Sequence, residues 1–408
     1  MTQAKKSFFW NMAGSTCNAF SNLLLLILVT RISGMEAAGI FSIGYAVAAL
    51  MWSVGTYDQN TYQLTDVKNL FSFGNYYAFK IITCLAMLIA SVINIALENY
   101  DSYKAAVALL LCVYKAIDAY SGIYYTLFQK SGRLDLSGLS LTVRVVLSVT
   151  VFTAVLFAGL IPAIIAACVI SAVWVAVFEM QLARKYADTA PKFEFKKLLS
   201  IALQCAPLFI SSFILNYINN IPKYAINDAL TNSHQAFYNI IFMPAFVINL
   251  FSLFFLRPVV TSLADSWDKR QIKTFILCII RQFGFILAFT AAALVGAYFL
   301  GIPVLNVVYG KDISSYKPGL LIILLAGGIN AMLVAYQYIL TVMRKQKFLL
   351  IGYIVAALAG TLISGRLVLY KPDSLVGASL IYLISMAVSV ICFTVIFIIF
   401  LKKQTKKN

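Results

Sequence analysis

Residues 375–400 read LVGASLIYLISMAVSVICFTVIFIIF. The stretch contains no charge and outruns the ~20 apolar residues that an α-helix needs to cross ~30 Å of hydrocarbon. Comparable stretches recur near 8–30, 35–56, 76–97, 104–128, 139–159, 161–183, 197–217, 235–256, 274–300, 317–342 and 348–369. The pattern predicts an all-α polytopic membrane protein with about 12 transmembrane helices. The whole chain agrees: hydrophobic residues make up 62% and charged residues 12% of 408, where a soluble domain carries about 25% charge. The runs are too long and too continuous for the alternating strands of a membrane β-barrel. The first run follows Lys5 and Lys6, exceeds a signal-peptide core and leads directly into the second, so it is expected to be retained.

The net charge of +17 is explained by topology. An even number of spans puts both termini on one side. The loops expected on that side hold most of the Lys and Arg, among them Lys130, Arg133, Arg144, Arg184, Lys185, Lys196, Lys197, Lys269, Arg270, Lys273 and the Lys402 to Lys407 tail. The opposite loops hold only Arg31, Lys104, Lys223, Lys311, Lys317, Arg366 and Lys371. Cytoplasmic loops carry such an excess, so the N- and C-termini are expected in the cytoplasm. A nucleic-acid partner is not called for. The loop at 184–197 is the natural joint between an N-terminal lobe, 1–190, and a C-terminal lobe, 191–408, of six helices each.

Loops are short, which leaves no room for a soluble catalytic domain. Neither G-x-S-x-G, nor a glycine-rich nucleotide loop, nor H-E-x-x-H occurs. His234 is the only histidine, and the seven cysteines lack metal-ligand spacing. No enzyme activity, cofactor or metal is expected.

Function must then rest on the polar residues inside spans, where each is costly. Asn11, Ser15, Asn18 and Asn22 share one helix face, either as the wall of a water-filled cavity or as interhelical hydrogen-bonding groups. Lys115 and Asp118 lie three apart near the middle of span four. They are either a mutually neutralised pair or a cavity cation positioned by Asp118. Arg281 either snorkels to the interface or is a second cavity cation. Asn330 and Gln337, two turns apart, are candidates for contacting a polar substrate. Pro222 is expected to interrupt the chain after span seven, leaving Lys223 in an outer loop facing anions. Gly327 and Gly328 mark a bend or close packing.

Several motifs resemble bacterial polysaccharide-repeat-unit flippases, of the multidrug/oligosaccharidyl-lipid/polysaccharide exporter superfamily. They are Thr30, Arg31 and Gly34 followed by Ala38-Gly39-Ile40-Phe41-Ser42; Tyr62-Gln63 with Thr65-Asp66-Val67; and Gln129 with Gly132-Arg133-Leu134-Asp135, Gly138, Ser140 and Arg144. Pro222-Lys223-Tyr224 with Ile226, Arg257-Pro258, Tyr309-Gly310 and the segment from Leu340 to Lys347 complete the set. The chain departs from the family near Asn60 and Lys80, where arginine is frequent, and near Thr231, where glycine is frequent.

The resemblance implies two six-helix lobes around a central cavity and alternating access. It implies export of an undecaprenyl-diphosphate-linked oligosaccharide to the outer leaflet of the cytoplasmic membrane. Lys115, Lys223 and Arg281 would offset the diphosphate, Asn18, Asn22 and Asn330 would bind hydroxyls, and Gln337 would contact the substrate beside Asn330. Asp118 is the first candidate for coupling to H+ or Na+. The partners implied are membrane lipid, glycosyltransferases and a polysaccharide polymerase. A drug or small-cation antiporter of the same superfamily is the alternative and predicts cavity carboxylates. A membrane glycosyltransferase or polymerase predicts a large acidic or arginine-rich outer loop. Only Glu98 and Asp101 offer a near pair there.

Overall fold

A computed structural model describes residues 3–405 except 67–69, 99, 246–247, 249–262, 264–265, 268 and 344. Arg257, Pro258 and Arg344 therefore lie outside the described residues. Among those described the chain is helical throughout, with no strand. The helices are α1 Gln3–Thr56, α2 Gln59–Thr65, α3 Phe73–Leu97, α4 Ser102–Lys130 and α5 Leu134–Leu156. They continue as α6 Leu160–Ala183, α7 Phe195–Ala229, α8 at 232–245 and α9 Ile272–Tyr309. The last three are α10 Lys317–Val342, α11 Leu349–Leu367 and α12 Val376–Thr405.

Ten helices among the described residues are long and apolar enough to cross a membrane. The first accounts for two expected spans. Its backbone leaves the helical region at Gly34, with φ 86° and ψ −180°. Leu25 and Phe41 line one small apolar cavity with Leu111 and Phe152. A straight helix would hold Leu25 and Phe41 ~24 Å apart, so α1 folds back on itself at Gly34. The expected span at 235–256 begins in α8 and continues outside the described residues. The protein is a multi-pass membrane protein.

The chain divides into two compact units, Met1–Asn216 and Tyr217–Asn408, and α7 carries the division. In each unit, small residues set the helix directions by allowing close approach. In the first unit, a Cβ on Gly44 would sit 3.2 Å from Ala108 Cα, and one on Gly55 would sit 3.1 Å from Ala119 Cβ. Both contacts advance together, so the second half of α1 runs parallel to α4. Gly138 packs on the backbone of Trp10, and Phe152 lies near Leu25, so the first half of α1 runs parallel to α5. Tyr77 meets Tyr124 while Cys84 meets Ala116, which makes α3 antiparallel to α4.

The second unit alternates in the same way. Gly319 lies near Ser379 and Tyr336 near Phe397, so α10 and α12 are parallel. Gly352 packs on Phe393 and Gly360 on Ser385, so α11 opposes α12. Gly327 and Gly328 lie against Ala245 and Thr290 within a continuous α10. The glycine pair therefore serves close packing and introduces no bend.

Candidate functional site

The first unit holds a polar centre inside its apolar helices. Asp118 on α4 and Arg144 on α5 form an ion pair, with Arg144 Nη2 donating to Asp118 Oδ1. Arg144 Nε donates to the Tyr125 hydroxyl at 3.0 Å. The Arg144 side chain is only 2% exposed. This corrects its placement among the basic loop residues. Helix α5 starts at Leu134, so Arg144 lies nearly three turns inside it.

Glu179 on α6 is fully buried. Its two carboxylate oxygens accept hydrogen bonds from Ser121 Oγ at 2.6 Å and Ser140 Oγ at 2.7 Å. Ser140 Oγ in turn accepts from Trp174 Nε1 at 2.9 Å. A π-turn at Val175–Glu179 makes this possible. Its longer bonding interval turns Glu179 towards the face that carries Trp174, so both reach Ser140.

Lys115 lies one turn from Asp118, but the carboxylate is committed to Arg144 across the helix interface. The Lys115 ammonium instead lies 4.8 Å from the centre of the Tyr45 ring. Among the described residues it makes no ion pair. On α1, Asn18 is exposed and Asn22 half-buried, with the Asn22 Oδ1 atom buried and without a hydrogen-bond partner.

In the second unit, Pro222 does not end the helix. α7 runs on to Ala229, so Lys223 is a helical residue and not a loop residue. Loss of one backbone donor at proline is tolerated where the rest of the helix is held by neighbours. Ile221 here packs against Gly360 of α11. Lys223 Nζ lies 5.4 Å from the Phe242 ring centre, and it too makes no ion pair among the described residues. The facing side of α8 carries Gln235, Tyr238 and Asn239, all buried, with side-chain polar atoms that lack partners. Sequence reasoning missed these residues, although their spacing of three and four places them on one face.

Arg281 is exposed, while its neighbour Gln282 is buried. Asn330 is half-buried, and Gln337 donates to the Tyr353 hydroxyl. Among the described residues, no hydrogen bond or ion pair joins any two of the eight residues singled out in the sequence. Four of them belong to each unit. No group of three or more metal-ligating side chains occurs among the described residues.

A second polar region closes the end of the first unit where α2, α3 and α4 meet. Asp66 accepts from the Leu70 amide at 2.9 Å, the Phe71 amide at 3.3 Å and the Tyr76 hydroxyl at 2.9 Å. Lys130 Nζ donates to the Asp66 carbonyl at 2.8 Å. Burial works to raise the Asp66 carboxyl, but these hydrogen bonds and Lys130 outweigh it and hold the group below its ordinary value. A depressed carboxylate contributes stability above its unfolded value of ~3.9, and that contribution disappears as pH falls through the folded value. Protection of the Leu70 and Phe71 amides from hydrogen exchange should therefore drop on acidification below about pH 4. In Asp66→Ala the amides should be poorly protected already at neutral pH, with the acid step gone.

Searches of protein families and of curated proteins give no match. Solved structures do match over nearly the whole chain. A lipid II flippase, MurJ, in an inward closed conformation aligns with a TM-score of 0.68 at 14% identity, covering 96% of this chain and 86% of that one. The fold is that of the MOP superfamily transporters. An inward-facing multidrug resistance MATE family transporter of that superfamily gives 0.61 at 13% identity, over 95% and 96% of the two chains. A MOP superfamily transporter from Pyrococcus furiosus, described as having a binding pocket of reversed polarity, gives 0.55 at 14% identity, over 99% and 96%. These neighbours are transporters and not enzymes, and they include both a lipid flippase and drug-resistance transporters. Identities this low carry the fold and not the substrate.

Proposed function

We propose that the protein is a lipid-linked oligosaccharide flippase. It carries undecaprenyl-diphosphate-linked polysaccharide repeat units from the cytoplasmic to the outer leaflet by alternating access, with both termini in the cytoplasm. Glycosyltransferases supply the substrate and a polysaccharide polymerase consumes it. The observation behind this reading is that Lys115 and Lys223 sit within apolar helices against aromatic rings and form no direct ion pair among the described residues, the Asp118 carboxylate near Lys115 being paired with Arg144. A cation kept at that cost is a functional group by default, and each of the two suits an anionic ligand. Of the acids buried inside the helices of the first unit, Asp118 is neutralised by Arg144, while Glu179 accepts hydrogen bonds from two serines. An antiporter of cationic drugs would have to use Glu179, since Asp118 is held by Arg144. An inside-negative potential would favour outward movement of the diphosphate by about 2.3 kcal/mol per charge per 100 mV.

The test is ligand-induced thermal stabilisation of the purified protein. Undecaprenyl diphosphate should raise the melting temperature and uncharged undecaprenol should not. Equal responses to both lipids would overturn the reading. Stabilisation by ethidium alone would support the antiporter.

A further inference from the structure

The polar and aromatic side chains around α2 are not explained by the two lysines. Helix α1 ends at Thr56, and the next two residues, Tyr57 and Asp58, both adopt left-handed backbone angles, with φ of 48° and 49°. Neither is glycine, so the turn stores strain that its surroundings must hold, a situation that gathers at ligand sites. The holding contacts come from α7. The Tyr57 ring stacks on Phe209 with centroids 4.3 Å apart and planes 17° apart, and Asp58 accepts a hydrogen bond from Ser212. One turn away, the Tyr62 hydroxyl donates to Gln204, whose side chain is exposed. Asn60 is half-buried. A Cβ on Gly122 would meet its Nδ2 at 2.5 Å, and its buried Oδ1 has no hydrogen-bond partner. All of these residues belong to the first unit.

Tyrosines with an apolar face and a polar rim, beside amides and a carboxylate that accept hydrogen bonds, match the surface of a sugar ring. Its C–H face is apolar and its hydroxyls both donate and accept. A phosphate would call for donors and positive charge, whereas Asp58, Asn60 Oδ1 and Gln204 Oε1 are acceptors. We propose that Tyr57, Asp58, Asn60, Tyr62, Gln204 and Phe209 form a sugar subsite of the flippase. It contacts the glycan of the substrate while Lys115 of the same unit contacts its diphosphate. The inference rests on the lipid-linked substrate proposed above. With the proposed orientation the subsite opens on the cytoplasmic side, where the glycan is built.

The experiment compares the affinity of the full chain in nanodiscs for undecaprenyl diphosphate, bare or bearing one hexose or N-acetylhexosamine. The wild type should bind at least one sugar-bearing lipid about tenfold tighter than the bare one, the amount one or two net hydrogen bonds supply. Gln204→Ala and Tyr62→Ala should erase that difference and leave the bare lipid's affinity unchanged. Tyr62→Phe, which keeps the ring, should retain part of it. Wild-type binding that is tight but indifferent to the sugar would overturn the subsite and leave the flippase reading standing. Variants that lose affinity for bare and sugar-bearing lipid alike would show the cluster to be structural, which also overturns it. Absence of any binding to the three lipids would remove the flippase reading, and the subsite with it.

Discussion

Arg144→Met, with Asp118 left in place, is expected to destabilise the first unit by roughly 3–5 kcal/mol, the cost of stranding one partner of a buried ion pair. The arginine is 2% exposed, and it is the ion-pair partner that Asp118 has among the described residues. Its Nε also donates to the Tyr125 hydroxyl at 3.0 Å, a bond lost in any variant without the arginine. Asp118→Leu combined with Arg144→Met removes both charges together, and such exchanges are often neutral or stabilising. The double variant should therefore regain most of the loss, short of the bond to Tyr125. Thermal unfolding in detergent checks this. Trp174 is a convenient reporter because it hydrogen-bonds Ser140 in the same polar centre. A single and a double variant of equal stability would mean that the pair is not coupled.

Lys115→Ala and Lys223→Ala should each weaken binding of undecaprenyl diphosphate by about 10- to 100-fold, the worth of a hydrogen bond to a charged group. Neither lysine forms a direct ion pair among the described residues, and Asp118 near Lys115 keeps Arg144, so removing a lysine leaves no carboxylate without a cation. The melting temperature without ligand should move little, which separates these variants from Arg144→Met. In cells, export of the surface polysaccharide should fall while the protein remains in the membrane. Unaltered affinity in both variants would take the lysines out of the substrate path.

The fold could be read from hydropathy because each span satisfies its own backbone, so composition alone marks it. The alternation of helix direction was readable too, since every turn between spans reverses the chain. The interior polar contacts were not. Lys115 and Asp118 look like a pair along α4, yet a stronger partner comes from α5, and no pattern within one helix announces it. Glu179 gave only the signal of a lone acid at the end of an apolar run. Its two serine donors, Ser121 and Ser140, come from different helices. Pro222 misled in the opposite direction. Proline usually marks a boundary, but tertiary packing carries α7 across it and turns Lys223 from a loop residue into a helical one.

Gly34 turns α1 back on itself in a region of backbone space that is essentially closed to other residues. An added Cβ would meet nothing within 4 Å, so room is not what keeps the position glycine. The obstacle is the stereochemistry of the chain itself. L-alanine would strain the reversal, while its mirror image has the opposite backbone preference and would accept these angles. The first two spans are thus joined by a residue chosen for being achiral, and a semisynthetic chain carrying D-alanine there should be more stable than the L-alanine chain by about 1–3 kcal/mol.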